Sequence, residues 1–433
     1  MNRSAIFLIV LVLLVISIAC NLPAGMVSDP VETTAPVATE SQPDTVSEPQ
    51  VTATETSPPP PSPSPTTAPP TPTIIPPVIQ PVGFGSGDLE NETITFYNTG
   101  GQALGTIAVP GLSSPEPEHV HIAGPYTGNL QALPLVYHSW GNNGEIKQSL
   151  GGNVEFLVTQ LDVSELCGAP AQNVYVYSEI LWGGEALQTY FYLRTPAGGG
   201  ASWFWDRDDP TSWAMFPLAV EASNGQVQGL WYTLKPWGIG GDIVFPPQKG
   251  LFYLKPDTLE HSLVLTEGFN PVGISPDNNL VAYLPAEHGF IEGADSTLTI
   301  YNLESGVMTT VALAPSSDRG AGYAVFSPDN RYLAWMEGSG WQMAETPNFT
   351  SRVRIAGTDG SLLADIPAST FASAAGDPSV KHVVPVGWID TEHLLVEARG
   401  AEWYWPALIR IRFDGSNPTR IANGSFIGFL YEE

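Results

Sequence analysis

Residues 273–283 read Gly-Ile-Ser-Pro-Asp-Asn-Asn-Leu-Val-Ala-Tyr, and residues 325–335 repeat the pattern as Val-Phe-Ser-Pro-Asp-Asn-Arg-Tyr-Leu-Ala-Trp. Proline presets φ in such a turn, aspartate accepts hydrogen bonds from neighbouring amides, and asparagine tolerates a positive φ. The residues after the turn favour a strand, and a degenerate third copy lies at 387–396. The turn residues to which we assign this structural role are Ser275, Pro276, Asp277, Ser327, Pro328 and Asp329.

A second repeated element is a hairpin with an acid, asparagine or glycine in its turn. It follows each copy of the first element, at 299–306, 352–360 and 408–415. Two further hairpins of this kind lie at 250–257 and 94–101. Two hairpins in every ~50 residues amount to four strands, which is the content of one propeller blade.

The Ser-Pro-Asp-Asn turns resemble the Ser-Pro-Asp-Gly signature of the TolB-like (WD40-like) β-propeller repeats. Asn278 and Asn330 stand where glycine is usual, and asparagine also accepts left-handed geometry. The close resemblance covers 270–422, whereas hairpin spacing alone supports it from 82 to 269. It implies an all-β propeller of four-stranded blades, which we expect to span residues 82–433.

The sequence is compatible with either seven or six blades. Hairpin pairs predict units near 120–163, 173–220, 227–265, 270–312, 322–366 and 383–422. Seven is favoured if the strand 425–431 pairs with the hairpin 93–110, because that closure removes exposed sheet edges. Six remains the alternative, with the N-terminal hairpin as an extension. No amphipathic helix is expected in the domain.

The N-terminus, residues 1–19, has the layout of a secretory signal peptide, with Arg3 before an apolar run that ends near Ile16. This run is shorter than the ~18 residues of a membrane span, although an uncleaved anchor helix is the alternative. The exit before Cys20 resembles the lipobox of bacterial lipoproteins. The resemblance implies a lipid on Cys20 and an exported protein anchored at the cell membrane, facing the cell surface or periplasm.

The segment 20–81 is rich in proline, threonine and serine, and no Lys or Arg occurs between Arg3 and Lys147. Such a composition cannot bury enough apolar area to offset its ordering entropy, which predicts a disordered linker. We interpret it as a spacer that carries the domain away from the membrane. An unselected low-complexity tail is the alternative.

The chain contains 16 Lys and Arg against 44 Asp and Glu. This acidic balance argues against nucleic acid as a partner. Cys167 is the only cysteine besides Cys20, so an acylated Cys20 leaves no disulfide partner. We expect Cys167 to be a small buried residue rather than a reactive thiol.

The sequence lacks the Gly-x-Ser-x-Gly elbow of hydrolases, the His-Glu-x-x-His pair of zinc proteases, the Walker phosphate loop and a cysteine metal knuckle. Neither a cofactor nor a metal site is therefore expected. His119 and His121 would share one face of a strand, but two histidines alone do not make a metal site. The acids at 206, 208 and 209 match no complete calcium loop. Four tryptophans are candidate ligand-facing aromatics, with core packing as the alternative: Trp203, Trp205, Trp403 and Trp405.

These observations predict a membrane-anchored, non-catalytic recognition or scaffold module. Its partner would be an envelope protein, a peptide or a glycan, because propellers serve mostly as rigid binding platforms, although fold alone does not settle function. The alternative is an enzyme that processes a glycan or peptide in the central pocket of the propeller. That chemistry would need a pair of carboxylates, and the sequence does not identify one.

Overall fold

The computed structural model describes residues 79–432 with several gaps. The gaps are 89, 111, 113–119, 140–144, 151–152, 159–162, 183–186, 196–201, 204–212, 237–243, 246, 286–289, 292–296, 315–318, 340–347 and 401–405. The predicted signal peptide, Cys20 and nearly all of the predicted linker therefore lie outside the described residues.

Short strands dominate the described residues. In chain order they are β1 (Gly83–Asp88), β2 (Thr93–Asn98), β3 (Ala103–Ala108), β4 (Val120–Ile122), β5 (Leu135–Ser139), β6 (Glu145–Leu150), β7 (Asn153–Val158), β8 (Val163–Ala169), β9 (Val174–Trp182), β10 (Leu187–Arg194), β11 (Ser202–Trp203), β12 (Trp213–Ser223), β13 (Gln226–Pro236), β14 (Lys249–Lys255), β15 (Glu260–Leu265), β16 (Asn270–Ile274), β17 (Leu280–Leu284), β18 (Phe290–Ile291), β19 (Thr297–Asn302), β20 (Met308–Ala312), β21 (Arg319–Phe326), β22 (Tyr332–Ser339), β23 (Thr350–Gly357), β24 (Leu362–Pro367), β25 (His382–Trp388), β26 (His393–Arg399), β27 (Ala407–Arg412), β28 (Thr419–Asn423) and β29 (Ser425–Leu430). A helix that was not expected, α1 (Ala368–Ala375), lies between β24 and β25 and buries Phe371.

The described strands form seven antiparallel sheets, which we number along the chain. Sheet 1 has the order β29-β1-β2-β3, sheet 2 contains β4 to β7, and sheet 3 contains β8 to β11. Sheet 4 contains β12 to β15, sheet 5 has the order β16-β17-β19-β20, and sheet 7 contains β25 to β28. Sheet 6 has β21 to β24 and a fifth strand, β18, which pairs with the first two residues of β21.

Contacts between neighbouring sheets close a ring. The innermost strands contact one another in the series β29, β4, β8, β12, β16, β21 and β25, and β27 contacts β29 to complete the circle. The predicted all-β propeller is therefore confirmed. Six of the sheets are four-stranded blades, and six is the blade number of the alternative prediction. Sheet 6, which has five strands, takes one more place in the ring.

The two ends of the described chain meet in sheet 1. β29 pairs with β1 in antiparallel register, from Gly83 opposite Leu430 to Gly87 opposite Ser425. The C-terminal strand was expected to pair with the hairpin 93–110, and this expectation is wrong in one respect, because β1 lies between them. The sequence Gly-Phe-Gly-Ser-Gly-Asp of β1 lacks the alternation of apolar residues that predicts a strand.

Two predicted blade boundaries in the middle of the chain are also wrong. The predicted unit 173–220 mixes strands of two sheets, because β8 at 163–169 begins sheet 3 and β12 at 213–223 begins sheet 4. β12 and β13 are each 11 residues long and form one long hairpin. That hairpin has no Ser-Pro-Asp turn, so its position in the blade could not be read from the turn pattern.

Both clear turns have the same hydrogen bonds. Ser275 Oγ donates to Asp277 Oδ1 at 2.6 Å and accepts from the Leu280 amide at 2.8 Å. In the second copy, Ser327 Oγ donates to Asp329 Oδ1 at 2.8 Å and accepts from the Tyr332 amide at 2.9 Å. These bonds lock the turn against the first residue of the following strand.

The asparagine of each turn has the left-handed conformation that such a turn requires. Asn278 and Asn330 both have φ of 58°. Burial would raise the pKa of Asp277, but hydrogen bonds from Ser275, Asn279 and Asn330 outweigh it and hold that pKa below its usual value. Because Asn330 belongs to the next repeat, this contact also joins the turns of sheets 5 and 6.

Candidate functional site

Four of the innermost strands share a one-residue bulge in their pairing with the next strand. The pairing register of β12 skips Leu218, that of β16 skips Val272, and that of β25 skips Val386. In β29 the skipped residue is Ile427. Bulges of this kind re-aim side chains, and a proline can precede them because an innermost strand is the edge of its sheet.

A short sequence repeat that was not predicted accompanies these bulges. Residues 217–219 are Pro-Leu-Ala, whereas 271–273 and 385–387 are both Pro-Val-Gly. Residues 323–325, Tyr-Ala-Val, and 426–428, Phe-Ile-Gly, occupy the same place in their strands. Three of the five copies lie just before a Ser-Pro-Asp-like turn, so an alignment on those turns would have shown them.

A cavity of about 420 Å³ lies where four innermost strands, β4, β8, β12 and β29, approach one another. We call it the central cavity. Its walls are formed by His121, Ile122, Leu166, Cys167, Gly168, Pro170, Pro217, Leu218, Phe426, Ile427, Gly428, Phe429 and Tyr431.

The walls of the central cavity are largely apolar. None of these described lining residues is an aspartate, glutamate, lysine or arginine. Polar side-chain atoms come from His121, Cys167 and Tyr431. Burial raises the pKa of Tyr431 to about 12, so its phenol keeps its proton at neutral pH. The site therefore offers neutral hydrogen-bonding groups on an apolar surface.

Among the described lining residues, one buried side-chain polar atom has no hydrogen-bond partner. It is Nε2 of His121. Burial lowers the pKa of His121 to about 4, so the imidazole is neutral at physiological pH. The ring lies against Gly168, where an added Cβ would stand 2.6 Å from Nε2. A glycine at this position of β8 is thus required for the observed position of His121.

We expect His121 to shape the dependence of stability on pH. The unfolded chain binds the proton near the ordinary histidine pKa of 6.5, whereas folded His121 binds it near 4. Because the unfolded state holds more protons between these values, the free energy of unfolding should fall as pH drops from 6.5 to 4. The variant His121→Gln should show a flatter curve in chemical unfolding measured across this range. An identical slope in both proteins would contradict a neutral His121.

Cys167 lies on the cavity wall in β8. Its side chain is half-buried, and it forms no disulfide with another described residue. Cys167 was expected to be buried, and it is instead half-buried beside the central cavity. Nothing among the described residues gathers three or more His, Cys, Asp or Glu side chains in a metal-binding arrangement.

Of the other candidates from the sequence, only the backbone of Trp203 is among the described residues. The backbone of Trp203 lies in β11, the outermost strand of sheet 3, opposite Phe191. Trp205, Trp403 and Trp405 lie outside the described residues, as do His119 and the acids at 206, 208 and 209. The role predicted for the four tryptophans therefore stays a prediction. In the described part of the chain, no helix is long and apolar enough to cross a membrane.

No protein-family model matches the chain, and no curated protein matches it. Solved structures similar to it include TolB from Acinetobacter baumannii, at 11% identity and a TM-score of 0.38, over 79% of this chain and 80% of that one. An oligogalacturonate lyase in complex with manganese has 12% identity and a TM-score of 0.44, over 79% and 85% of the two chains. The β-propeller domain of the Trilobed protease from Pyrococcus furiosus has 11% identity and a TM-score of 0.37, over 60% and 71%. Similarities this distant assign neither a family nor an activity.

Proposed function

We propose that this chain is a membrane-anchored, extracytoplasmic recognition module whose central cavity binds an uncharged, apolar side chain of a peptide or protein partner. The observation that carries the proposal is the central cavity itself. Its volume of about 420 Å³ suits a small group, and one orphaned imidazole nitrogen stands among apolar walls. Ligand sites commonly combine a hydrophobic lining with a few placed polar groups.

The lining favours a peptide over a glycan. A sugar presents many hydroxyls, and each loses its water on entering a site that offers few partners. A charged carboxylate or ammonium would pay a larger desolvation cost against the described walls, which carry no opposite charge. An aromatic or aliphatic side chain gains from burial against Leu218 and Phe429.

The membrane anchor is the second part of the proposal, and the sequence around Cys20 supports it. In the proposed arrangement the lipid holds the chain at the membrane, and the proline-rich linker gives the propeller reach. At ~3.1 Å per residue a polyproline II segment of this length extends on the order of 190 Å. Such reach suits a module that captures a partner away from the bilayer.

We expect Cys20→Ser to remove the protein from the membrane fraction or to block its processing. Acyl chains on Cys20 would supply the affinity for the membrane, at about 0.8 kcal/mol for each buried methylene, and serine has no thiol to acylate. Fractionation and gel migration of the full chain check this. If the variant stays with the membrane and migrates like the wild type, the proposed lipid anchor is wrong.

The recognition proposal is tested by calorimetric titration of the full chain with three probes. They are the capped tripeptide acetyl-Leu-Trp-Leu-amide, the same peptide with a free carboxylate, and chitotetraose. We expect the capped peptide to bind, the charged peptide to bind about tenfold more weakly, and the sugar not to bind. Leu218→Ser should weaken binding of the capped peptide, because it puts a hydroxyl on the cavity wall.

Leu263→Ser is the matched control. Leu263 is an exposed leucine of the outer strand β15, so the same chemical change there should leave the affinity unaltered. Binding of the sugar but not the peptides, or equal effects of the two serine variants, would contradict the proposal. Turnover of a glycan or peptide that disappears in His121→Ala or Cys167→Ala would replace the recognition module by an enzyme.

A further inference from the structure

Tyr431 contributes a phenol to the wall of the central cavity. The residue follows β29 directly, beyond the last pair in the register of β29 with β1. Pairing between strands no longer holds the chain at this point, and a segment released from its sheet tends to fray. Other contacts therefore have to fix the position of the phenol.

Contacts of the backbone and of the ring hold Tyr431 in place. The Tyr126 amide donates to the Tyr431 carbonyl at 2.7 Å. The preceding residue, Leu430, accepts at its carbonyl from the Val82 amide at 2.8 Å. The ring of Phe429 meets the Tyr431 ring edge to face, with 6.4 Å between centroids and an angle of 69°. Aromatic pairs favour this geometry, so the phenol stands on a fixed backbone with a supported ring.

The hydroxyl of Tyr431 has no hydrogen-bond partner in the described part of the chain. Burial alone raises its pKa to about 12, without a contribution from a hydrogen bond or a neighbouring charge. A hydroxyl on a cavity wall bonds to water when no ligand is bound. A ligand that displaces this water has to replace its hydrogen bond, because otherwise the hydroxyl is left unsatisfied.

The other two polar side chains of the described wall are less available to a ligand. Nε2 of His121 is buried, and the imidazole lies against Gly168. Cys167 already takes part in a further interaction, and a thiol is a weak donor and a weak acceptor. Tyr431 is half-buried, and a phenol both donates and accepts. Among these three groups, the phenol is thus the strongest hydrogen-bonding group that a ligand meets.

The protonation state of the phenol decides what the ligand has to offer. Because its pKa is raised, the phenol of Tyr431 keeps its proton at neutral pH and needs an acceptor. An uncharged carbonyl oxygen is an acceptor that suits apolar walls, since its desolvation is offset by one hydrogen bond. A carboxylate would lose its hydration against described walls that carry no positive charge.

We propose that Tyr431 is a ligand-contact residue, which donates a hydrogen bond to an uncharged carbonyl oxygen of the group bound in the central cavity. The inference rests on the proposed function and narrows its ligand to an apolar group that carries one such acceptor. A bound group with no acceptor leaves the O–H of Tyr431 unsatisfied and binds more weakly.

The test uses two capped tripeptides, acetyl-Leu-X-Leu-amide, in which X is 4-acetylphenylalanine or 4-isopropylphenylalanine. The two side chains have nearly the same size and shape, and only the first has a carbonyl. Calorimetric titration of the full chain should give a Kd about tenfold lower for the acetyl peptide. In Tyr431→Phe, which keeps the ring, the two Kd values should differ by less than about twofold.

Tyr97→Phe is the matched control. Tyr97 lies in β2 of the same sheet, burial also raises the pKa of its phenol, and it is not among the described residues that line the cavity. This variant should keep the wild-type preference for the acetyl peptide. A loss of packing in Tyr431→Phe would weaken both peptides alike, so the ratio of their Kd values separates a ligand contact from a structural role.

The inference on Tyr431 is overturned if the preference survives in Tyr431→Phe or disappears equally in Tyr97→Phe. Equal Kd values for the two peptides in the wild type would also overturn it, and this measurement needs no variant to fold. If the wild type binds neither these peptides nor acetyl-Leu-Trp-Leu-amide, the proposed function fails. If it binds both peptides equally and Leu218→Ser weakens both, the recognition module stands and the role of Tyr431 is wrong.

Discussion

Deletion of residues 425–433 should abolish cooperative unfolding of the propeller and leave an aggregation-prone chain. The deletion removes β29, the innermost strand of sheet 1, and with it the buried side chains of Phe426, Ile427 and Leu430. Burial of each contributes about 1.5–3 kcal/mol, against a typical net stability of 5–15 kcal/mol. The truncation therefore takes away an amount comparable with the whole stability.

The loss extends beyond the missing side chains. Without β29, the backbone edge of β1 is left unpaired, and such an edge invites association with other chains. Glu397, which is 1% exposed, loses the Phe426 amide that donates to its Oε2 at 2.8 Å. An acceptor left unsatisfied in the interior adds its own penalty.

The controls separate ring closure from a general effect of truncation. Deletion of residues 432–433, which lie beyond β29, should leave the thermal midpoint unchanged. A disulfide made by Gly87→Cys with Ser425→Cys, two positions opposite each other in register, should raise it. Circular dichroism melting and size-exclusion chromatography report both outcomes. A truncated chain that melts with the wild-type midpoint would show that the terminal strands do not hold the ring together.

The repeated units from 270 onward could be predicted because their turns depend on local chemistry. In the first turn, Asp277 accepts hydrogen bonds from Ser275 and from the Asn279 amide. Because these bonds span only a few residues, they leave a recognisable pattern in the sequence. Before 270 the blades have other connections, such as the long hairpin of β12 and β13. Spacing alone then placed the boundaries at 173–220 and 227–265, which the structure corrects.

The central cavity could not be predicted, because its walls come from strands far apart in the chain. His121 of β4 and Phe429 of β29 meet there, although some 300 residues separate them. From the sequence, His121 could be considered only together with His119, two residues away, as a possible metal ligand. What distinguishes His121 is a buried, unpartnered Nε2 against Gly168, and that property exists only after the ring closes.

Arg354→Met should be strongly destabilising, by about 3–5 kcal/mol, because it leaves a buried carboxylate without its cation. Arg354 and Glu337 are 5% and 3% exposed, in the neighbouring strands β23 and β22 of sheet 6. Arg354 Nη1 donates to Glu337 Oε1 at 2.9 Å and to the Ala312 carbonyl of sheet 5 at 2.7 Å. The pair therefore joins two sheets of the ring.

Glu337 has further partners that hold it in place when the arginine is removed. Trp335 Nε1 donates to its Oε1 and the Ala314 amide donates to its Oε2, each at 2.9 Å. These neutral donors do not replace a guanidinium, so the carboxylate stays in the interior without a positive charge. The variant Arg354→Met combined with Glu337→Met removes both charges and should recover much of the lost free energy.

A second arginine on the same strand supplies the matched control. Arg352 lies two residues before Arg354, pairs with Asp365 at 3.1 Å and is 40% exposed at its side chain. Solvent screens such a pair, so Arg352→Met should cost no more than about 1 kcal/mol. Chemical unfolding of the four proteins measures all of these free energies. Equal losses in Arg352→Met and Arg354→Met, or a double variant weaker than Arg354→Met, would mean that burial of the Glu337 charge is not what makes Arg354 necessary.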